Sequence, residues 1–185
     1  IVKTLDSIPG GGDAQGIVVE KGRAFIADGL FGLRVIDISN PSNLKHLIDL
    51  DLQGRAFNTF NFGNELFLGV ERKYFNLGDV SNPENPKLLY SKSFAASYEY
   101  TSVILDKKKL YFNAGGARIY DVSNANNPQK LNQDTIGADS LQLQGNYLYS
   151  TIGEIGLIVY DVLNPASATL ISKTPFKKGI PRDLS

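Results

Sequence analysis

The chain has 185 residues, of which 42% are hydrophobic and 21% charged, a composition typical of a globular protein with a substantial core. Its 19 basic and 19 acidic residues balance to a net charge of zero, which argues against a nucleic-acid-binding protein. The lack of cysteine excludes disulfide bonds, thiolate metal sites and a cysteine nucleophile, and no apolar run is long enough to predict a transmembrane segment.

The predicted elements are all β-strands. Residues 1–8 match an outermost strand, and the first full set of strands follows them. Its four members are Gly16–Glu20, Arg23–Ala27, Gly32–Ile38 and Leu44–Leu52. The turn Lys21-Gly22 joins the first two strands as in a β-hairpin, and a Ser-Asn-Pro turn precedes the fourth.

This set of strands recurs along the chain, and one aspartate marks each copy. Asp37, Asp79, Asp121 and Asp161 are 42, 42 and 40 residues apart, and each is followed by asparagine three positions later. The second copy is expected to carry an extra loop at residues 71–73. The third copy has its proline only at position 128, which predicts an insertion over residues 124–127.

Four antiparallel strands in about 41 residues is the size of one β-propeller blade. We therefore predict an all-β propeller segment with four complete repeats and flanking strands. Its predicted parts are an outer strand at 1–8, blades at 9–52, 53–94, 95–136 and 137–176, and the start of a next blade at 177–185. Since propellers typically have about four to eight blades, we expect a larger ring or array, completed by further chain or a second copy.

The segments Gly32–Pro41 and Gly156–Pro165 share the pattern Gly-Leu-x-Val-[Ile/Tyr]-Asp-[Ile/Val]-x-Asn-Pro. This pattern resembles the LVIVD-repeat family of mostly bacterial and archaeal propellers. The resemblance implies the propeller fold and a location at the cell surface or outside the cell. It implies no reaction, because the family has no shared catalytic motif that these residues match.

The recurring aspartates invite a metal-binding interpretation, but turn chemistry explains them better. An aspartate at the end of a strand accepts backbone N–H bonds from the turn that follows it. We therefore predict that each of the four aspartates caps its own turn. No window has the oxygen ligands of an EF-hand loop, and the only histidine, His46, is expected to be a solvated residue on an outermost strand.

Residues that differ between blades near the start of each innermost strand are the candidate binding residues. They are Arg55, Phe57, Asn58, Tyr98, Glu99, Tyr100, Asp139, Arg182 and Asp183. The aromatic members suit a partner-binding face. Glu99, Asp139 and Asp183 would form an acidic cluster if the innermost strands converge, which leaves calcium open in a chain otherwise predicted to need no cofactor.

Two functions from different classes fit these observations. The first is a non-enzymatic scaffold at the cell surface that binds a protein or a surface polymer. The alternative is a propeller hydrolase, a lactonase or a glycan-cleaving enzyme, that uses the axial carboxylates with or without calcium. Convergence of Glu99, Asp139 and Asp183 would favour the enzyme.

Overall fold

The computed structural model of the protein describes residues 12–52, 54–63, 67–71, 74–94, 102–133 and 136–176. Over these residues it is an all-β structure of four antiparallel sheets, each with four strands. One short 3₁₀ turn, Pro165–Ser167, is the helical element of the described part. The all-β prediction is therefore confirmed, and in that part no helix is long and apolar enough to cross a membrane.

Sheet 1 has the order β1-β2-β3-β4. Its strands are β1 (Ala14–Glu20), β2 (Arg23–Asp28), β3 (Leu33–Asp37) and β4 (Lys45–Leu50). Lys21 and Gly22 both have positive φ angles, 45° and 73°, as a type I′ hairpin turn requires.

The other three sheets repeat this order, and each lies within one predicted blade. Sheet 2 contains β5 (Asn58–Asn61), β6 (Phe67–Glu71), β7 (Tyr74–Asp79) and β8 (Lys87–Ser93). Sheet 3 contains β9 (Val103–Asp106), β10 (Lys109–Asn113), β11 (Ala117–Asp121) and β12 (Gln129–Lys130). Sheet 4 contains β13 (Ser140–Gln144), β14 (Tyr147–Ile152), β15 (Gly156–Asp161) and β16 (Thr169–Thr174).

Of the predicted extra loop at residues 71–73, Glu71 is instead the last residue of β6, and residues 72 and 73 lie outside the described residues. Glu71 pairs with Tyr74 across the hairpin, so that only two residues connect β6 to β7. In sheet 1 the pairing instead ends at Ala27 and Leu33, which leaves a longer connection. The second copy therefore extends its strands where the first copy makes a loop.

The predicted insertion at residues 124–127 is wrong. The backbone N–H of Asn126 bonds to the side chain of Asn124 at 3.1 Å, and that of Asn127 bonds to its carbonyl oxygen at 3.0 Å. The same two bonds follow Asn40 in the first copy. Ala125 therefore takes the place that proline has elsewhere, with no added residue.

Sheets 1 and 2 form one compact unit and sheets 3 and 4 form another. In the first unit, the core side chains of sheet 1 pack against residues that flank or belong to sheet 2. The core consists of Phe25, Ala27, Leu33, Val35, Leu52, Ala56 and Val80. In the second unit the core consists of Tyr111, Ala117, Ile119, Ile136, Leu141, Leu148 and Val162. In the second unit the two sheets therefore stack through apolar residues of their strands, whereas in the first unit residues flanking sheet 2 help to complete the core.

Candidate binding surface

The four recurring aspartates cap turns, as predicted. Each carboxylate accepts the backbone N–H of the residue two positions later at 2.8–2.9 Å. These residues are Ser39, Ser81, Ser123 and Leu163. The asparagine that follows in each copy repeats the same bond at 3.0–3.2 Å, so the connection from the third strand to the fourth is two consecutive side-chain-capped turns.

The serine hydroxyls strengthen three of these caps. Side-chain and then backbone hydrogen bonds from Ser39 lower the pKa of the Asp37 carboxyl. The same pair of bonds from Ser81 lowers the pKa of Asp79, and from Ser123 that of Asp121. Because each carboxylate already accepts two local hydrogen bonds, its role is to hold the turn.

In the first unit, the first strands of the two sheets, β1 and β5, lie side by side, and Asp13 and Arg55 precede them. Arg55, a predicted candidate, donates to Asp13 at 2.9 Å, and its guanidinium lies over the Phe57 ring, 5.6 Å from the centroid. Gln15 donates to the other oxygen of Asp13 at 2.6 Å. Asn58 is the first residue of β5. The structure therefore brings Arg55 and Phe57 together.

The connection from β2 to β3 adds an exposed apolar pair that the sequence analysis did not single out. Gly29 and Ala56 exchange backbone hydrogen bonds at 2.9 and 3.1 Å, which attaches this connection beside Arg55. The next two residues, Leu30 and Phe31, are 77% and 44% exposed. We call Leu30, Phe31, Arg55 and Phe57 the loop patch. The sequence feature that marks this patch is an apolar pair inside a turn flanked by glycines, where polar residues are usual.

In the second unit, Asp139 directly precedes β13, the first strand of sheet 4, and its hydrogen bonds have a structural role. Its carboxylate accepts the N–H of Gly153 at 2.6 Å, and its carbonyl oxygen accepts the Asn113 side chain at 2.9 Å. Nearby, the hydroxyls of Ser102 and Ser140 are 2.9 Å apart and buried between the sheets. Sequence reasoning missed Ser102 and Asn113, because only tertiary contacts show that these polar residues are buried.

The remaining candidates, Tyr98, Glu99, Tyr100, Arg182 and Asp183, lie outside the described residues. The acidic cluster therefore stays a prediction. Within the described ranges, no three His, Cys, Asp or Glu side chains lie close enough together to hold a metal ion.

His46 belongs to an ion-pair network on sheet 1. Its Nε2 lies 2.9 Å from the Asp49 carboxylate, which also binds Arg34 at 2.9 Å, and Arg34 reaches the buried Asp28 at 2.8 Å. Burial raises the pKa of Asp49, but the hydrogen bonds from Arg34 and His46 outweigh it, and the pKa lies below its ordinary value. This network ties β2, β3 and β4 together.

Four similar sheets with the same capped turns define a β-sheet repeat protein. The sequence model of the LVIVD repeat matches residues 11–48 and 137–174, the segments of sheets 1 and 4. The predicted resemblance to the LVIVD-repeat family is thus confirmed at two places in the chain. No curated protein matches the sequence significantly.

Solved structures with a similar fold include the computationally designed Ika4 protein. It is 14% identical with a TM-score of 0.65, and the match covers 87% of this chain and 99% of that one. A protein from Lactobacillus plantarum is 15% identical with a TM-score of 0.71, and the match covers 92% of this chain and 60% of that one. At these identities the likeness shows the fold alone.

Proposed function

We propose that the four sheets are blades of a β-propeller that binds a partner protein through the loop patch and catalyses no reaction. Two observations support the blade arrangement. Each sheet has four antiparallel strands in chain order, and the first strands of neighbouring sheets lie side by side, β1 by β5 and β9 by β13. An innermost first strand is what a propeller requires of every blade.

The proposal that the partner is a protein rests on the composition of the loop patch. Leu30 and Phe31 are exposed at the tip of a tight turn, held by the bond from the Phe31 N–H to the Asp28 carbonyl oxygen at 3.0 Å. Arg55 and Phe57 stack on each other in the segment whose Ala56 is hydrogen-bonded to Gly29. Aromatic residues and arginine are enriched at the centres of protein interfaces, and a preordered turn loses little conformational entropy on binding.

The location that we propose is the cell surface or the extracellular space. This proposal is supported by the two matches to the LVIVD repeat, and a partner protein on the same cell surface would be consistent with it.

The test compares the wild-type chain with the double variant Leu30→Ser and Phe31→Ser. Both proteins are immobilised and exposed to surface proteins from the source organism, and a captured protein is then purified for direct titration. We expect the variant to bind this partner at least about tenfold more weakly, because buried aromatic and aliphatic anchors dominate interface energies.

The matched control is the double variant Leu170→Ser and Ile171→Ser, which removes two similarly exposed side chains from β16. This control should bind like the wild type. Equal binding by all three proteins would contradict the assignment of the loop patch, as would a partner that proves to be a polysaccharide.

A further inference from the structure

The recurring aspartate distinguishes the two faces of each sheet. Residues two and four positions before it lie on one side, which we call the forward face, and residues one and three positions before it lie on the other, the rear face. In sheet 1 the forward face carries Val35 and Leu33, and in sheet 3 it carries Ile119 and Ala117. All four side chains are buried in the cores of their units.

The sheets of both units pack in the same order. Leu148 pairs with Tyr160 on the rear face of sheet 4, and it shares a core with Ile119 on the forward face of sheet 3. In the first unit, Leu88 pairs with Gly78 on the rear face of sheet 2 and packs against the forward-face core of sheet 1. A forward face therefore receives the rear face of the sheet that follows it in the chain.

The forward face of sheet 4 is more open than those of sheets 1 and 3. Tyr149, Leu157 and Val159 stand at positions that are buried in both of those sheets, yet here all three are only half-buried. Tyr147, at the edge of the same face, is exposed. This face therefore presents aromatic and aliphatic side chains to solvent.

The rear face of sheet 1 is open as well. Ile17 and Val19 are 62% and 59% exposed. Their counterparts in sheet 4 are Leu141, which is 1% exposed, and Leu143, which packs against the core of the second unit. The same positions are thus buried where a forward face covers them and exposed in sheet 1.

A buried hydroxyl on the forward face of sheet 4 marks the place of a missing strand. The Oγ1 of Thr151 is buried and has no hydrogen-bond partner among the described residues. Asn113 occupies the same position in sheet 3, and its side chain donates at 2.9 Å to the carbonyl oxygen of Asp139, directly before the first strand of sheet 4. Buried polar groups in folded proteins are normally paired. Thr151 therefore stands where the first strand of a following sheet would accept its hydroxyl.

The sizes of the side chains on the two open faces complement each other. Leu157 stands on the forward face of sheet 4 where sheet 3 has Ala117. Ala24 stands on the rear face of sheet 1 where sheet 4 has Leu148. The bulk gained on one open face is matched by the bulk lost on the other, as close packing between the two favours.

Charge does not oppose the burial of the rear face of sheet 1. Arg34 lies on this face, and it is bound to Asp28 at 2.8 Å and to Asp49 at 2.9 Å. Covering a charge is costly only where it is left without a partner. The pairs within sheet 1 therefore allow another sheet to cover this face.

From these observations we infer that the rear face of sheet 1 binds the forward face of sheet 4 of a second copy of this chain. Tyr149 packs on Ile17, in the way that Tyr111 shares a core with Leu141. The Thr151 hydroxyl donates to the backbone of Gln15, which stands where sheet 4 has Asp139.

The contact joins two different faces, so two copies can make it twice and close a ring. The number of copies rests on the proposed propeller: each chain supplies four sheets, and two chains reach the upper end of the usual range of about four to eight blades.

The first measurement is sedimentation equilibrium of the full chain at micromolar concentration, where we expect a dimer. Ile17→Lys places a charge on the rear face of sheet 1, and Tyr149→Lys places one on the forward face of sheet 4. Each variant should dimerise at least about tenfold more weakly than the wild type, because a covered lysine would have no partner. A monomeric wild-type chain would overturn the inference.

Mixing the two variants tests whether the faces bind each other. The unaltered rear face of Tyr149→Lys meets the unaltered forward face of Ile17→Lys, so the mixture should form a heterodimer although neither variant dimerises well alone. If no heterodimer forms, or if only one of the two changes weakens the wild-type dimer, the contact does not join these two faces and the inference is wrong.

The matched control is Leu163→Ser, which replaces an exposed leucine of a capped turn by the serine of the other three copies. It should dimerise like the wild type. Circular dichroism establishes that each variant is folded, and Gln142→Lys, which lies opposite Tyr149, replaces Tyr149→Lys if that variant does not fold. Partner binding by the loop patch is measured separately on the monomeric variants, so that a loss of dimerisation and a failure of the loop patch are distinguished.

Discussion

One side-chain bond, made by an aspartate to the residue two positions later, accounts for the most regular feature of the sequence. The bond is the same in all four sheets, but its surroundings differ. Asp37 also binds Arg23, and three of the aspartates receive a serine hydroxyl. In the fourth sheet the corresponding residue is Leu163, which offers only its backbone N–H. Asp161 is therefore the position where the backbone bond can be tested by itself.

The variant Asp161→Ala should lower the free energy of unfolding by about 1 kcal/mol, because the Leu163 N–H loses a cap-like acceptor. For a chain of this size the melting temperature should fall by roughly 2–4 °C. Thermal unfolding followed by circular dichroism measures the change. Asp161→Asn keeps an acceptor oxygen in the same place and serves as the control. If the alanine and asparagine variants melt together, the bond does not stabilise the turn.

The caps could be predicted because they connect residues two positions apart. Both partners of the bond are therefore visible in one short stretch of sequence. The contact between Arg55 and Asp13 spans 42 positions, and that between Ser102 and Ser140 spans 38. Such contacts depend on how one sheet packs on the next. The sequence therefore predicted Arg55 as a candidate without its partner, and it did not predict the buried serines.

At the scale of elements, a glycine five positions before the aspartate lies at the start of the third strand, or directly before it, in three of the four sheets. Gly32, Gly116 and Gly156 have φ angles of 74°, 129° and 101°. A methyl group on any of them would overlap a carbonyl oxygen of neighbouring chain, which belongs to Leu50, Ile136 and Thr174 respectively. In sheet 2 the corresponding residue is Tyr74, and there the β6–β7 ladder continues to Glu71 instead. Tyr74, which pairs with Glu71, therefore occupies the position where the other three copies have this glycine.

The variant Gly156→Ala should destabilise the protein by about 3 kcal/mol, because the left-handed backbone and the overlap with the Thr174 carbonyl oxygen both oppose the methyl group. Gly145→Ala is the matched control. Gly145 has a φ of 60° but open space around the added methyl group, so its cost should be about 1 kcal/mol. Chemical denaturation measures both values. If the two variants lose equal free energy of unfolding, β16 shifts to accommodate the methyl group without destabilising the protein.

At the scale of the whole molecule, the same capped turn occurs in successive sheets. Several carboxylates therefore contribute to the pH dependence of the protein's stability. Asp37, Asp79 and Asp121 have carboxyl pKa values below the ordinary range, and in each the serine hydrogen bonds are the main cause. The folded state therefore binds fewer protons than the unfolded state as the pH approaches the ordinary aspartate pKa of about 3.9. The stability contributed by these carboxylates is fully present above that value and is lost as the pH falls through the lower pKa of the folded state.

We therefore expect the melting temperature to be nearly constant from pH 7 to about pH 5 and to fall steeply below about pH 4. The triple variant Asp37→Asn, Asp79→Asn and Asp121→Asn tests the cause. Its amides keep an oxygen that accepts the backbone N–H but cannot ionise, so the variant should be less stable at neutral pH and should show a shallower fall in acid. Circular dichroism melts at half-unit pH steps measure both curves. Because Asp49 is unchanged, some acid sensitivity should persist in the variant. Parallel curves for the two proteins would place the acid dependence in carboxylates other than those of the repeated turns.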